Sequence, residues 1–505
     1  MRAQRCVNWM LMQGPIKAAR RAVYATALTV ALVSLAALPI AASPHGARTD
    51  ASVTIDAVDR GQPVPNAYLG LSFELSSLAE VARVGEHGNL VTLLRGVGPG
   101  VLRFGGVSAD TQVAWTDSET PRPAWASSAI GPEDLRRLAS LAARSGWKVL
   151  LTIGLAHFEP ATAAREAQAA RAILGSSLAG IELGNEPNAY ANHKLRAAPW
   201  TFSQYAAQAS SYLHAIAGRG GSPPPLAGPD VSGSPAFLSW GTGEAAGLDP
   251  ALLTGHHYPL GCHELPRPTI DRLLSPGIRR AEWVSIRRYI SASSRSRIPF
   301  RLDETGSVSC GGRPGISNTF ASALWAADYI ARTMSAGMSG INFHGNLRNC
   351  LGYSPLCAAS AADLAAGRLR AQPVWYALLL DRALVGDTPA SSSIAWERHA
   401  NVDVVAMRAR SGALHVLIVD DDPAGSRAVA IRLSAAMRFR TARILELRAP
   451  SRHATTGVTL GDSTVAPRGT WVADDGPLLR ADRRGTINVL LPPGSADLIT
   501  LKPTP

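Results

Sequence analysis

The sequence has few cysteines, little charge and no motif for binding a nucleotide. It contains five cysteines in 505 residues, and charged residues account for 17% of it. No Gly-x-Gly-x-x-Gly opens a first helix and no glycine-rich phosphate loop is present, so nothing indicates a nucleotide-dependent enzyme. The cysteine spacing is not Cys-x-x-Cys, which disfavours a zinc site. Since no ligand cluster has a recognisable spacing, we predict neither a metal nor an organic cofactor.

Long hydrophobic runs are also lacking, apart from one near the N-terminus. Residues 22–42 are uncharged and apolar, follow Arg20 and Arg21, and end in small residues, which is the layout of a secretory signal peptide. A retained membrane anchor is the alternative, because about 20 apolar residues can span a bilayer. We predict a signal peptide at 1–43, a secreted or periplasmic protein, and no stable membrane association after its removal.

The positive charge of the chain is scattered along the sequence. Its 50 Lys and Arg residues against 38 Asp and Glu residues give a formal net charge of +12. There is no dense basic block and no basic helix with interleaved aromatic residues, so we do not expect a nucleic acid partner. The excess suits an acidic polysaccharide, or simply a solvated basic surface. The sequence gives no indication of the oligomeric state.

From residue 67 the sequence alternates between short strands and helices. One helix, for example, is opened by Pro132 and closed by Gly146. Eight such units over about 320 residues predict an α/β fold of the (β/α)8 TIM-barrel type, with a doubly wound open sheet as the alternative. The predicted strands are 67–74, 100–105, 147–154, 179–184, 225–229, 252–258, 298–304 and 340–345.

After residue 384 the pattern changes to short strands separated by turns. This pattern predicts a C-terminal β-sandwich over 386–505, following a barrel over 66–385. Residues 44–65 are predicted to be a linker and an N-terminal strand that can join the sandwich. The predicted sandwich strands are 402–407, 414–419, 429–433, 442–445 and 487–491.

Four cysteines remain once the signal peptide, which contains Cys6, is set aside. They form an even set in a protein that we expect to be exported, so disulfides are plausible. Four cysteines allow three pairings. Cys262 and Cys310 each follow a predicted barrel strand, whereas Cys350 and Cys357 lie in one loop, which favours 262–310 with 350–357. Free buried thiols are the alternative.

Two glutamates lie at the ends of predicted barrel strands. In residues 180–187 a short apolar strand ends in Asn185 and Glu186, and Glu304 ends the seventh strand. The strand ends of a barrel converge on one face, so the two carboxyl groups can meet across its mouth. Such a pair suits glycoside hydrolysis, in which one carboxyl protonates the leaving oxygen and the other attacks the anomeric carbon. Taken singly, a helix-starting turn and a salt bridge are the ordinary interpretations.

The sequence here resembles a known family. Gly184-Asn185-Glu186-Pro187 together with a seventh-strand Glu304 is similar to the clan of retaining barrel glycosidases. Within that clan, residues 302–306, 310–312 and 315–325 resemble glycoside hydrolase family 79. That family contains β-glucuronidases and heparanases, and it joins a barrel to a β-sandwich.

The similarity extends from about residue 68 to residue 376 and is most specific around 180–190 and 302–353. For the C-terminal part it consists of the architecture alone. The resemblance implies that Glu186 is the acid/base and Glu304 the nucleophile. It also implies that hydrolysis retains the anomeric configuration.

The resemblance assigns further contacts to the sugar. Asn185 is expected to hold the sugar 2-hydroxyl, Tyr258 to orient the nucleophile, and Arg103 to lie beneath Glu304. Glu74 is expected to meet hydroxyls on the far side of the sugar. Without the resemblance, Tyr258 has an equally good interpretation as a packing residue.

A glucuronate carboxylate needs hydrogen-bond donors. The resemblance places the backbone N–H groups of Gly311 and Gly312 there, with the phenol of Tyr353 beside them. The expected function is therefore a secreted hydrolase that removes terminal β-linked glucuronic acid from oligosaccharides, polysaccharides or glycoconjugates. The alternatives are an endo-acting, heparanase-like enzyme, a sugar-binding protein without activity, and a glycosidase for a neutral sugar such as arabinose.

Overall fold

The computed structural model describes residues 49–220, 222–474 and 476–504. The predicted signal peptide at 1–43 lies outside these residues. Within the described ranges, no helix combines the length and the hydropathy that crossing a membrane requires.

Strands and helices follow one another over the described ranges. The strands are β1 (Ala51–Asp59), β2 (Leu69–Glu74), β3 (Val101–Gly105), β4 (Val113–Trp115), β5 (Ser128–Ile130), β6 (Lys148–Ile153), β7 (Leu178–Leu183), β8 (Ala227–Ser232), β9 (Leu252–His257), β10 (Phe300–Thr305), β11 (Gly340–Gly345), β12 (Leu356–Cys357), β13 (Arg370–Ala371), β14 (Thr388–Trp396), β15 (Val402–Arg408), β16 (Leu414–Asp420), β17 (Val429–Ala435), β18 (Phe439–Arg448), β19 (Thr459–Leu460), β20 (Leu478–Arg480), β21 (Ile487–Leu491) and β22 (Ser495–Pro503). The α-helices are α1 (Leu78–Glu86), α2 (Leu90–Val97), α3 (Val107–Thr111), α4 (Pro132–Ser145), α5 (Pro160–Leu174), α6 (Phe202–Gly218), α7 (Ser234–Gly247), α8 (Ile270–Leu273), α9 (Pro276–Ser296), α10 (Phe320–Ser335), α11 (Ala361–Ala365) and α12 (Pro373–Asp381).

Eight parallel strands form the barrel. Their order is β7-β6-β3-β2-β11-β10-β9-β8. A parallel bridge between Ile181 and Leu226 closes the ring between β7 and β8, and the Ile181 N–H donates to the Pro225 carbonyl at 2.9 Å. The predicted TIM barrel is confirmed, and closure excludes the doubly wound open sheet.

The barrel strands form where the chain is apolar and covered on both faces. Every residue of β3, β10 and β11 is buried, as expected when helices cover a parallel sheet. The predicted helix boundaries also hold at α4, which begins at Pro132 and is closed by Gly146 at φ +77°. Glycine reaches this left-handed conformation without a steric penalty.

The second sheet is mostly antiparallel and has the order β19-β18-β22-β16-β15-β14-β1-β17-β21, with β20 beside β18. Alternate residues of both halves of this sheet enclose one apolar core, as in a β-sandwich. The N-terminal strand β1 belongs to it, antiparallel to β14 and parallel to β17. The predictions did not include β14 or β22.

Barrel helices join the two sheets through buried ion pairs. Helix α10 packs on β15 and β16. Arg279 on α9 reaches Asp328 on α10 at 3.1 Å and Asn401, next to β15, at 3.0 Å. Arg279 also pairs with Asp421, directly after β16, at 2.5 Å.

Candidate active site

A cavity of about 780 Å³ opens at the carboxyl ends of the barrel strands. The loops that follow these strands wall it. Among the described residues, no lysine or arginine lines it. The predicted site residues found in its wall are Glu74, Asn185, Glu186, Tyr258, Glu304, Gly311 and Tyr353.

Glu186 follows β7 in a left-handed backbone conformation with φ +48°. Few residues other than glycine adopt this conformation, so neighbouring structure must stabilise it. The Glu186 N–H donates to the Asp230 carbonyl at 2.9 Å, and its side-chain Oε1 lies 2.9 Å from His256 Nδ1. A residue of β8 thus holds the Glu186 backbone, and a residue of β9 orients its carboxyl group.

Glu304, on β10, is surrounded by hydrogen-bond donors. Arg103 Nη1 donates to Oε2 at 2.7 Å, the Tyr258 hydroxyl donates to Oε1 at 2.7 Å, and His344 Nδ1 is 3.4 Å from Oε2. Burial alone would raise the pKa of Glu304, but the charges of His344, His256 and Arg103 hold it well below its ordinary value. Glu304 is therefore a carboxylate across the physiological pH range.

Arg103 lies beneath the cavity floor and is fully buried. Besides Glu304, it contacts Glu182 at 2.9 Å, Asp230 at 2.8 Å and Asp303 at 3.1 Å. Burial opposes its charge, but these carboxylates raise the pKa of Arg103 well above its ordinary value. A planar guanidinium with five N–H donors suits this position, because it can donate hydrogen bonds to side chains from several barrel strands at once.

Acidic groups outnumber cations beneath the floor. Burial raises the pKa of Glu182 to about 8 and also raises the pKa values of Asp230 and Asp303. Burial would lower the pKa of His256, but the carboxylates of Glu304, Asp230 and Asp303 raise it well above its ordinary value. His256 is thus an imidazolium, with Nε2 2.6 Å from Asp230 Oδ1.

The carboxylates of Asp230 and Asp303 form, with His256, a group whose ligand atoms lie within 4.8 Å of one another. This spacing would suit a small cation. Arg103 already contacts both carboxylates, at 2.8 and 3.1 Å. Its guanidinium thus occupies the place that a cation would take between them.

Asn185 presents its amide in a defined orientation. Its Oδ1 accepts from Arg103 Nη2 at 2.9 Å, and its backbone N–H donates to Asp110 at 2.9 Å. Because the oxygen is held by Arg103, the Nδ2 donors remain available to a ligand in the cavity.

Glu74 forms the wall across from these residues. The Ser108 N–H donates to its Oε2 at 2.9 Å, and His344 Nε2 lies 3.9 Å from Oε1. A Cβ at Gly106 would lie 2.5 Å from the Glu74 carboxylate. Glycine at this position therefore makes room for the carboxyl group.

Only one glycine of the predicted donor pair lines the cavity. Gly311 is in its wall, whereas Gly312 is not, and the Gly312 N–H donates to the Ser309 carbonyl at 3.3 Å. A Cβ at Gly312 would lie 2.5 Å from the Tyr353 nitrogen, so this glycine allows a close approach of two loops. Tyr353 stacks on Tyr258 with ring centroids 5.9 Å apart.

Two disulfides join the loops at the rim. Cys262 is bonded to Cys310, and Cys350 to Cys357, which is the pairing that the sequence favoured. The first links the loop after β9 to the loop after β10. The second closes a short loop after β11, next to Tyr353.

The predictions missed three residues that contact the two glutamates. His256 lies within the predicted strand 252–258, and it bridges Glu186 and Asp230. Asp230 lies one residue beyond the predicted strand 225–229, and His344 was assigned only to a strand. Each lies near the carboxyl end of a barrel strand, and that position was the available signal.

The two glutamates share one neighbour. His256 Nδ1 lies 2.9 Å from Glu186 Oε1 and 4.0 Å from Glu304 Oε1. These two distances together limit the separation of the two carboxylate oxygens to 6.9 Å. The side chain of Glu186 is 20% exposed and that of Glu304 is 11% exposed.

The fold and this site define a TIM barrel with a second, β-sheet region and a pair of glutamates at the barrel mouth. No family model matches the chain. It is 29% identical to a β-glucuronidase from Aspergillus niger over 207 residues, which are 37% of this chain and 38% of that protein. It is 27% identical over 223 residues to a β-glucuronidase from Neurospora crassa, covering 40% of this chain and 37% of that protein. The matched region therefore spans little more than a third of these curated relatives.

Solved structures share the fold over most of the chain. A 4-O-α-L-rhamnosyl-β-D-glucuronidase from Fusarium oxysporum superposes with a TM-score of 0.71 and 18% identity, covering 89% of this chain and 100% of that one. A GH51 arabinofuranosidase from Xanthomonas axonopodis pv. citri has a TM-score of 0.63 and 14% identity, covering 90% and 100%.

Proposed function

We propose that this chain is a retaining glycoside hydrolase that removes terminal β-linked glucuronic acid. The observation that carries the proposal is the pair Glu186 and Glu304, held within 2.9 and 4.0 Å of one imidazole nitrogen at the barrel mouth. The relatives named β-glucuronidase support the choice of sugar. We also propose membership of glycoside hydrolase family 79, on the motifs around Glu186 and Glu304.

In the proposed first step, Glu304 is the nucleophile and Glu186 the acid. The Glu304 carboxylate attacks the anomeric carbon while protonated Glu186 gives its proton to the leaving oxygen, which departs as an alcohol. The assignment rests on environment, since Glu304 is the more buried and is kept ionised by Arg103 and two histidines. Tyr258 holds the other Glu304 oxygen.

In the proposed second step, the glycosyl ester on Glu304 is hydrolysed. Glu186, now a carboxylate, takes a proton from water as that water attacks the anomeric carbon and releases Glu304. Inverting enzymes need roughly 6.5–9.5 Å between their carboxyl groups to accommodate the water, whereas retaining ones need about 5–5.5 Å. The limit of 6.9 Å lies at the low edge of the first range and supports double displacement.

The remaining site residues are proposed to recognise the sugar. Asn185 donates from Nδ2 to the 2-hydroxyl, and Glu74 accepts from hydroxyls on the opposite side. No lysine or arginine among the described residues lines the cavity. We propose that the glucuronate carboxylate is bound by neutral donors, since His256 and His344 already face Glu304. We assign these donor roles to the Gly311 N–H and the Tyr353 hydroxyl. Gly312 is excluded because it does not line the cavity and its N–H donates to the Ser309 carbonyl.

Exo action is proposed from the rim. The loops that the two disulfides tie down line the cavity beside Tyr353 and Gly311, and we propose that they close one end of it. An endo-acting, heparanase-like enzyme needs a cleft open at both ends. Chain-length analysis of the products from a glucuronate-containing oligosaccharide distinguishes the two, since internal cleavage would exclude exo action.

Two rival functions have support of their own. The absence of lysine and arginine from the described residues that line the cavity suits a neutral sugar, and arabinofuranosidases share the fold. A binding protein without activity is the other rival, although both glutamates are intact. The test is chromophore release from aryl β-glucuronide beside β-glucoside, β-galactoside and α-arabinofuranoside. Preference for the glucuronide supports the proposal, activity on a neutral sugar alone replaces it, and binding without hydrolysis makes the protein a lectin.

We further propose that the barrel at 66–385 is the catalytic domain and that 386–505 with the strand in 44–65 forms the β-sandwich domain. Secretion is proposed from the apolar run at 22–42 and agrees with the two disulfides, which form in oxidising compartments. Sequencing the N-terminus of the exported protein tests the cleavage near residue 43.

A further inference from the structure

A second cavity, of about 800 Å³, lies on the outer wall of the barrel. It is a groove between helix α9 and strands β14 and β15 of the second sheet, and it shares no lining residue with the cavity at the barrel mouth. We call it the α9 groove. The hydroxyl-bearing residues Ser391 and Ser392 line its sheet side.

Helix α9 presents an exposed stripe to the groove. Trp283, Val284 and Arg287 lie three, four and seven residues after Arg280, which places all four on one face of the helix. Trp283 and Val284 are each 38% exposed. The Arg287 guanidinium lies 6.0 Å from the Trp283 ring centroid. The stripe thus combines an accessible aromatic ring with two cations.

The charge of the groove is strongly one-sided. Five arginines and one aspartate, Asp403, line it. Two of the arginines, Arg279 and Arg332, are neutralised by Asp328 and other buried acids at the junction of the sheets. The other three are exposed and form no ion pair with a described residue; they are Arg60, Arg280 and Arg287.

We propose that the α9 groove is a secondary binding site for an acidic polysaccharide chain that carries uronate carboxylates. Arginine matches a carboxylate with two parallel N–H donors, and an indole face packs on the apolar face of a sugar ring. Serine hydroxyls can pair with the sugar hydroxyls between charges. The groove would hold a polymer on the enzyme surface independently of hydrolysis at the barrel mouth.

A single-stranded nucleic acid is the other polyanion to consider. Proteins that bind it stack successive bases on several aromatic side chains along a basic channel. The residues that line the α9 groove include one aromatic side chain, Trp283. The combination of one ring, separate arginines and hydroxyls fits a saccharide better.

The test is affinity electrophoresis of the full mature chain through gels containing polyglucuronate, neutral dextran or neither polymer. We expect retardation by polyglucuronate alone, and roughly two- to thirtyfold weaker binding for Arg280→Ser/Arg287→Ser, from the loss of two exposed charge pairs. Trp283→Ala should also weaken binding. The matched control is Arg83→Ser/Arg295→Ser, which removes two exposed arginines outside the groove, one of them on the same helix.

The outcomes separate the groove from general basicity and from catalysis. Equal weakening by the control pair, unchanged binding in Trp283→Ala, or tighter binding of single-stranded DNA than of polyglucuronate would each overturn the proposal. Release of chromophore from the small aryl glycoside should stay at the wild-type rate in all groove variants, which also verifies their folding. Because binding is read without turnover, failure of the glycosidase assignment leaves this result interpretable.

Discussion

Replacing Glu304 with glutamine tests the proposed nucleophile while preserving the shape of the side chain. An amide cannot form the glycosyl ester, so turnover of an aryl β-glucuronide should fall by about 1,000-fold or more, as when other enzymes lose a nucleophile. Substrate binding should change much less, because the sugar contacts assigned to Asn185 and Tyr353 remain.

The structure also predicts that Glu304→Gln is well tolerated. Breaking one buried ion pair commonly costs about 3–5 kcal/mol, because a charge is left without a partner. Here Arg103 keeps Glu182, Asp230 and Asp303 within 3.1 Å, so its charge is not left without a partner. Burial raises the pKa values of these three acids, which outnumber the cations around them. We therefore expect a loss of about 1 kcal/mol, which lowers the Tm by less than about 4 °C.

The assay pairs initial rates with thermal unfolding, and Glu244→Gln is the matched control. Glu244 is a buried glutamate of the barrel that does not line the cavity. Burial raises its pKa to about 8, so the neutral glutamine resembles its protonated form. Near-wild-type turnover in Glu304→Gln would remove Glu304 from the mechanism. A Tm loss much larger than 4 °C would refute the argument that the three remaining acids suffice as partners of Arg103.

Three further predictions concern the two glutamates of the site, Tyr258, and a buried glutamate of helix α5. Azide should partly restore Glu304→Ala, giving the α-glycosyl azide, and Glu186→Ala, giving the β-glycosyl azide. The reverse pair of configurations would mean that the two roles are exchanged, and the same configuration from both variants would contradict the assignment. Tyr258→Phe removes a charge-assisted hydrogen bond worth about 1.5–3 kcal/mol, so turnover should fall and the acidic limb of kcat/KM should move to higher pH; an unmoved limb would contradict the contact at 2.7 Å. Burial raises the pKa of Glu166 from 4.5 to about 8 in the folded protein. The stability that the folded state gains by holding this proton is therefore fully present below pH 4.5 and is lost as the pH rises through 8. Glu166→Gln should therefore flatten the fall in Tm over this interval, and parallel curves for variant and wild type would be evidence against it.

The barrel could be read from the sequence because its signals are local. Each strand is a short apolar run, and each helix carries its own boundary residues, such as Pro132 and Gly146. Burial on both faces makes those runs recognisable without knowledge of their partners. Glu186 and Glu304 were identified for the same reason, since the end of a strand fixes which face of the barrel a residue occupies.

The second sheet shows where local signals fail. Strand β14 begins Thr-Pro-Ala-Ser-Ser-Ser, with no alternation of apolar and polar residues, and it exists because β1 and β15 pair with it. Strand β1 in turn lies at the other end of the chain. The N-terminal strand was predicted from its own residues, but its pairing with a segment so distant in sequence leaves no mark in β14.

At the site, the sequence by itself determined the two glutamates, the neighbouring Asn185 and the cysteines. Only the tertiary structure decided that His256 bridges Glu186 and Asp230, and that Asp230 shares Arg103 with Glu304. It also showed that Gly312 is not in the cavity wall and that its N–H donates to the Ser309 carbonyl of its own loop. The physical reason is distance: a charge acts on whatever lies within a few ångströms, and in a closed barrel those neighbours come from strands far apart in the chain.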